Sequence, residues 1–137
     1  LDRKRRASGP MANEDDKLFQ RLGGAAKLAE IVREMYDRVL QDPELAPFFA
    51  NTSMERLHHM QYQFLASAFD GPVEYAGAEL TAIHRGRGIT SQHFAKFCGH
   101  FVDAMEAHGV DAHDVDIALS RLSMFKDKIT GDVNYDG

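Results

Sequence analysis

Three polar side chains lie on otherwise apolar helical faces of this chain, and their types could support chemistry. His84 ends a short apolar-patterned segment, and Gly86 and Gly88 follow it at once. An imidazole can serve as a metal ligand or a proton carrier. Tyr36 and Gln61 are neutral hydrogen-bond donors set among apolar residues. Because a buried phenol or amide needs a partner, the pattern predicts either a binding site or a hydrogen-bonded structural pair.

Each of these residues has a structural alternative. Tyr36 and Gln61 could hydrogen-bond to each other or to a backbone carbonyl, and His84 could be a satisfied core histidine. Taken together, however, they give one imidazole opposite two neutral donors, with aromatic residues around them. That arrangement is what an iron porphyrin with a bound diatomic ligand requires.

The first half of the chain follows a helical pattern. A short apolar segment at 18–22 stops at Gly23-Gly24, and apolar residues then recur every three or four positions from 28 to 40. This second helix should end before Asp42-Pro43, because the residue before a proline avoids helical angles. The pattern therefore places Tyr36 inside a long amphipathic helix.

A third predicted helix carries Gln61. Thr52 and Glu55 have the spacing of a capping box at its start, and Asp70-Gly71-Pro72 ends it. A loop of about ten residues follows, which is long for a compact helical protein. The loop leads to the short segment that ends at His84.

The last two predicted helices complete an all-α fold. Ser91 can cap the first of them, and Gly109 closes it. Asp111 can cap the second, whose apolar face continues to Ile129. No segment has the pattern of a strand. Cys98 lies on an apolar helix face, so we expect an inert core thiol.

The composition limits the classes of function. The chain has 137 residues, 44% of them hydrophobic and 27% charged, with a net charge of -5. That charge argues against nucleic acid as a partner. No apolar run approaches the ~20 residues that span a bilayer, so membrane insertion is not expected. The single cysteine excludes an intrachain disulfide and, with no secretory signal, indicates a cytoplasmic location.

The sequence divides into a domain and two tails. Residues 1–14 read as a disordered or tag-derived tail, 15–130 as the helical domain and 131–137 as a C-terminal tail. The run DVNYDG at 132–137 matches the first half of a calcium-binding loop, in which alternate side chains supply oxygen ligands. The alternative is a polar tail that matches by chance.

Four stretches carry a family resemblance: LFQRLGG, MYDRVLQDPELAPFFAN, MQYQFLASAFDGPVEYAG and LTAIHRGRGIT. In order and spacing they resemble the group 1 truncated haemoglobins, small globins with a two-over-two helical sandwich around haem. The similarity runs from about Leu18 to Ile129. It is greatest to mycobacterial-type members, which share the HxGRGIT run. The resemblance implies haem b as cofactor.

The resemblance also implies roles for the three polar residues. His84 is then the proximal iron ligand, and its second ring nitrogen should donate to a backbone carbonyl. Tyr36 is the distal tyrosine, with its hydroxyl directed at bound ligand, and Gln61 is the distal glutamine. Further haem neighbours are implied at Phe49, Leu57, Met60, Phe64, Tyr75, Leu80, Ile89 and Phe94, with Phe97 as another wall candidate.

Some positions depart from the family pattern or fall outside it. Asp70 stands where relatives often have glycine. Met60 stands where some relatives carry a histidine or lysine that can reach the iron, so it could ligate iron or simply pack. His58 and His59 are expected to point away from haem as a solvated pair. The remaining histidines are expected to be structural or on the surface, namely His93, His100, His108 and His113.

The function implied by the resemblance is reversible binding of oxygen and other diatomic ligands, namely nitric oxide and carbon monoxide. Nitric oxide dioxygenase capacity follows if an external reductase returns the iron to its ferrous state. Oxygen transport and nitric oxide detoxification are the corresponding physiological roles. Two alternatives remain: a haem-based sensor or regulatory domain of a larger, calcium-responsive protein, and a helical domain without cofactor.

Overall fold

The computed structural model describes residues 17–72 and 87–130, and within these ranges every regular element is helical. The predicted all-α class is therefore confirmed. The two predicted tails and the segment that contains His84 lie outside the described residues. The elements are α1 (Leu18–Arg21), α2 (Gly24–Leu40), a 3-10 helix (Ala46–Phe49), α3 (Met54–Ala68), α4 (Ser91–Ala107), α5 (Ala112–Ser123) and α6 (Lys126–Thr130).

Two sets of helices pack against each other across the core. Helix α2 contacts α3 within one set, and α4 contacts α5 and α6 within the other. The contact between α2 and α4 joins the sets, and α1 bridges α2 and α5. Phe69 at the end of α3 stacks on Phe101 of α4, with ring centroids 6.1 Å apart. None of the described helices has the length and apolar character needed to cross a membrane.

Helix α2 agrees with the apolar pattern that predicts it, except at Leu40, which is 40% exposed. Its buried residues are Leu28, Ile31, Val32, Met35, Tyr36 and Val39. Gly23 precedes the helix and Gly24 begins it, with φ angles of 112° and 80°, a left-handed region that costs a glycine little. The helix ends at Leu40, just before Asp42-Pro43 as predicted.

Two of the predicted helix caps are wrong by one residue. Ser53, rather than Thr52, caps α3 and accepts from the backbone N–H of Arg56. Thr90, rather than Ser91, caps α4 in a capping box whose returning side chain is His93. The usual signature has Glu or Gln at that third position, so a histidine in the same role escapes it.

The remaining helix ends follow their predicted signals, with one correction. Gly109, at φ 78°, follows α4, and the Val110 N–H bonds to Met105 O as in a Schellman motif. Asp111 caps α5. The prediction of one continuous last helix that reaches Ile129 is wrong, because α5 ends at Ser123 and α6 begins at Lys126. Bonds that span three residues tighten the chain there and place Phe125 edge-on to Phe64 at 5.0 Å.

Asp42 fixes the turn that leads from α2 into the 3-10 helix. The carboxylate is only 7% exposed. His100 Nε2 donates to it at 2.8 Å, Lys96 Nζ lies at 3.3 Å, and the Glu44 backbone N–H donates at 2.9 Å. These donors, above all His100, lower the pKa of Asp42 to about 2, although burial opposes the shift. The turn is thus tied to α4.

We expect Asp42 to contribute to acid sensitivity. Because its folded-state pKa lies below the ordinary value of 3.8, its stabilising effect is present above about pH 4 and is lost as the pH falls toward 2. Thermal unfolding between pH 7 and 2 should show Asp42→Asn less stable than wild type at neutral pH, with the difference shrinking in acid. Asp103→Asn, at an exposed position on α4, is the matched control. A difference that is independent of pH would contradict the assignment.

Candidate functional site

A cavity of about 390 Å³ opens between the two sets of helices. Its volume lies in the range of small-molecule and cofactor sites. The lining residues come from every described helix except α1. They are Tyr36, Leu45, Phe48, Phe49, Asn51, Thr52, Ser53, Arg56, Leu57, Met60, Gln61, Phe64, Arg87, Ile89, His93, Phe94, Phe97, Leu122 and Ile129.

Tyr36 is the buried polar residue of this lining. Its side chain is only 2% exposed, and no hydrogen bond to its hydroxyl comes from residues 17–72 or 87–130. Burial raises the pKa of the phenol well above its usual value of 10, so the group stays protonated and can donate. Because Tyr36 lines the cavity and its hydroxyl has no partner among the described residues, a ligand in the cavity can supply the acceptor.

The orientation of Tyr36 is set by aromatic neighbours. Phe49, from the 3-10 helix, meets the phenol ring edge-on at 5.5 Å, and Phe97 of α4 does so at 6.0 Å. Both phenylalanines also line the cavity. Edge-to-face contacts of this kind stabilise a defined ring orientation. The phenol is therefore held in place by packing rather than by hydrogen bonds.

Gln61 lies on the α3 face that borders the cavity, with Leu57 one turn before it and Phe64 three residues after it. Within the described part of the chain its amide makes no side-chain hydrogen bond. The alternative that Tyr36 and Gln61 satisfy each other is therefore wrong. Both side chains border the same cavity and are available to a ligand there.

The exposed edge of the cavity is polar and carries positive charge. Arg56 and Arg87 are exposed members of the lining, as are Asn51, Thr52 and Ser53. His93 is half-buried; its Nδ1 accepts from the Thr90 N–H at 3.0 Å, which leaves its proton on Nε2. An apolar cavity with a cationic edge suits a flat apolar ligand with acidic substituents.

The described residues contain no site in which protein side chains alone could bind a metal ion. No cluster of three or more His, Cys, Asp or Glu side chains with metal-binding geometry occurs in 17–72 or 87–130. Cys98 is buried and free, and burial raises the pKa of its thiol to about 11, in agreement with an inert core residue.

The structure brings together every predicted site residue that falls within its described ranges. Around the cavity lie Tyr36, Gln61, Phe49, Leu57, Met60, Phe64, Ile89 and Phe94. His84, Tyr75 and Leu80 lie outside the described residues. Arg87 and Ile89 line the cavity, and His84 precedes Arg87 by three residues in the sequence.

Several lining residues were not predicted. Phe48, Arg56 and His93 contribute to the 3-10 helix, α3 and α4 sides, and Leu122 and Ile129 contribute from the last two helices. Leu122 and Ile129 lie on the predicted apolar face of their segment, but that pattern cannot distinguish a core residue from a residue of the cavity wall.

The expectation of a solvated His58–His59 pair is half wrong. His59 is exposed. His58 is half-buried, and its ring lies 5.5 Å from that of Tyr36. Of the other histidines, His100 pairs with Asp42 and His108 with Glu34, both as structural contacts.

Comparisons with known proteins agree on one family. The model of the bacterial-like globins matches residues 17–131. The group 1 truncated haemoglobin GlbN of Mycolicibacterium paratuberculosis is 40% identical over 110 residues, which are 80% of this chain and 81% of that protein. GlbN of Nostoc sp. (strain MUN 8820) is 33% identical over 112 residues, 82% of this chain and 95% of that protein.

A solved structure shares the fold. The 2/2 haemoglobin from Synechococcus sp. PCC 7002, in the cyanomet state and with covalently attached haem, superposes with a TM-score of 0.78 at 26% identity. The match covers 84% of this chain and 98% of that one. The two-over-two arrangement of that protein corresponds to the two packed sets of helices described above.

Proposed function

This chain belongs to the bacterial-like globins as a group 1 truncated haemoglobin, and from that premise we propose how its cavity serves ligand chemistry. As a member of this family it carries haem b with iron and binds small diatomic ligands such as oxygen. The proposal assigns the individual side chains: His84 as the iron ligand, and Tyr36 and Gln61 as donors to the bound diatomic molecule.

The lining of the cavity fits this cofactor. Its wall is largely apolar, as the porphyrin face requires, and Arg56 and Arg87 at the exposed edge can pair with the carboxylates of the haem. Haem iron, when bound, supplies the site for the diatomic ligand and the electron for redox chemistry. The protein side chains supply the hydrogen-bond donors and the shape of the cavity.

The observation that carries the proposal is the buried Tyr36 side chain, which lines the cavity and whose hydroxyl has no partner among the described residues. It stays protonated and faces no competing acceptor within the described residues, so it donates to a ligand that gains negative charge. In a cavity that excludes water, such a hydrogen bond is stronger than in solution. Gln61 supplies a second, less buried donor through its amide.

The remaining assigned residues shape the cavity. Leu57, Phe64, Ile89 and Phe94 line it and give the donors apolar surroundings. Met60 lines it as well, and we assign its thioether to packing rather than to iron ligation. His84, which the family resemblance implies as the proximal ligand, would hold the iron through one ring nitrogen.

Retention of oxygen beside these donors favours nitric oxide dioxygenation. One nitric oxide, one dioxygen and one electron give one nitrate ion. Tyr36 contributes by slowing the escape of oxygen, which leaves time for nitric oxide to enter. An external reductase must then restore the ferrous state.

Nitrate formation tests this activity. The ferrous protein, equilibrated with oxygen, is mixed with one equivalent of nitric oxide, and nitrate and the oxidised protein are measured. We expect about one nitrate for each nitric oxide consumed, and repeated turnover once a reductant is added. Tyr36→Phe should give a lower yield. Consumption of nitric oxide without nitrate would rule out the dioxygenase proposal, while ligand binding itself would stand.

A further inference from the structure

His58 contacts the phenol that carries the proposed function. The ring centroids of His58 and Tyr36 are 5.5 Å apart, and the rings are tilted by 35°. The Nε2 atom of His58 is buried and has no hydrogen-bond partner. A buried nitrogen left without a partner is costly, so another interaction must keep the imidazole in this place.

The position of His58 completes the packing around Tyr36. Phe49 and Phe97 meet the phenol edge-on, and both line the cavity. His58 is not part of the lining, although Leu57 before it is. The imidazole therefore supports the phenol from outside the cavity, while the two phenylalanines hold it from within.

The contact is one of ring packing between neutral groups. Burial lowers the pKa of His58, and nearby Arg33 lowers it further, while Asp37 opposes them. A neutral imidazole whose buried Nε2 makes no hydrogen bond interacts with the phenol through its flat ring surface. Removing the ring would leave space into which Tyr36 can turn.

We propose that His58 is a positioning residue for Tyr36, whose imidazole ring keeps the phenol hydroxyl directed at the bound ligand. This inference rests on the proposed role of Tyr36 as ligand donor. His58 itself does not touch the ligand. Its effect should therefore disappear when the hydroxyl of Tyr36 is absent.

The oxygen dissociation rate of the haem-loaded protein tests this role. Without the ring, the phenol samples orientations that do not donate, so His58→Ala should release oxygen about three to ten times faster than wild type. His58→Phe keeps a flat ring and gives up no hydrogen bond at the buried Nε2 position, so its rate should stay within about twofold of wild type. Its thermal stability should not fall for the same reason. His59→Ala, at the exposed neighbour, is the matched control.

Two further measurements separate positioning from a general structural effect. In a Tyr36→Phe background, His58→Ala should leave the rate unchanged within about 1.5-fold, because no hydroxyl remains to be positioned. The infrared C–O stretch of the carbon monoxide complex should gain a second band in His58→Ala and keep one main band in His58→Phe. If the alanine variant does not retain haem, the oxygen dissociation rate and the C–O band of His58→Phe still test the inference.

The outcomes are distinguishable. An unchanged rate in His58→Ala, an equal acceleration in the Tyr36→Phe background, or a failure of His58→Phe to restore the rate would overturn the inference. If Tyr36→Phe itself leaves oxygen release unaltered, the proposed function of Tyr36 fails first. If Tyr36→Phe accelerates release and His58→Ala does not, only the positioning role of His58 is lost.

Discussion

Replacement of His84 by alanine should abolish iron coordination by the protein on the proximal side. We propose this residue as the iron ligand, and His93 is the one histidine among the described lining residues that could substitute for it. The Nδ1 of His93 is engaged in the cap of α4, and its ring meets Phe48 edge-on at 4.9 Å. Both contacts restrain it from replacing His84. The purified variant should contain little haem or show an altered ferrous–carbon monoxide spectrum.

The control for this variant separates loss of ligation from loss of folding. His113→Ala removes an exposed histidine at the start of α5 and should leave the absorbance spectrum unchanged. His84→Gly leaves space for free imidazole, which should restore a wild-type-like spectrum when added to the buffer. An unaltered ferrous–carbon monoxide spectrum in His84→Ala would disprove the assignment of the proximal ligand.

Tyr36→Phe should accelerate oxygen dissociation by about ten- to a hundredfold. A hydrogen bond to a partly charged ligand contributes roughly 1.5–3 kcal/mol, and each 1.4 kcal/mol corresponds to a factor of ten in rate. The phenyl ring keeps the contacts with Phe49 and Phe97, so packing is preserved while the donor is lost. Gln61→Leu should have a smaller effect, because its amide is less buried than the phenol.

Stopped-flow measurement of oxygen release gives the comparison. Tyr62→Phe removes a hydroxyl from a half-buried tyrosine of α3 that does not line the cavity, and it should release oxygen at the wild-type rate. If Tyr36→Phe behaves like this control, the Tyr36 hydroxyl has a structural role only.

The sequence predicts the helices well where burial is periodic. The spacing of apolar residues in α2 predicts its buried face, and the glycines and Asp42-Pro43 predict its ends. Caps are less certain, because neighbouring Ser and Thr residues are equivalent donors and acceptors in a pattern. Either Thr52 or Ser53 could cap α3, and the cap is the residue at which the chain enters the helix. That point depends on the tertiary path of the chain.

The site is predicted less completely than the helices. Tyr36 and Gln61 stand out because they interrupt apolar faces, whereas Leu122 and Ile129 do not differ in pattern from ordinary core residues. His58 was misplaced because it lies beside Leu57 on α3, one step away from the cavity face. The His58 ring is directed toward Tyr36 of α2 rather than toward solvent. This direction is determined by how α2 and α3 pack together, which the sequence pattern does not contain.

The crystal structure of the haem-loaded protein with cyanide bound would test the central claim most directly. We predict that His84 binds the iron on one side and that the hydroxyl of Tyr36 lies within hydrogen-bond distance of the ligand on the other, with Met60 unbound. Iron ligation by Met60 or His93, or a ligand on the face away from Tyr36, would contradict the account.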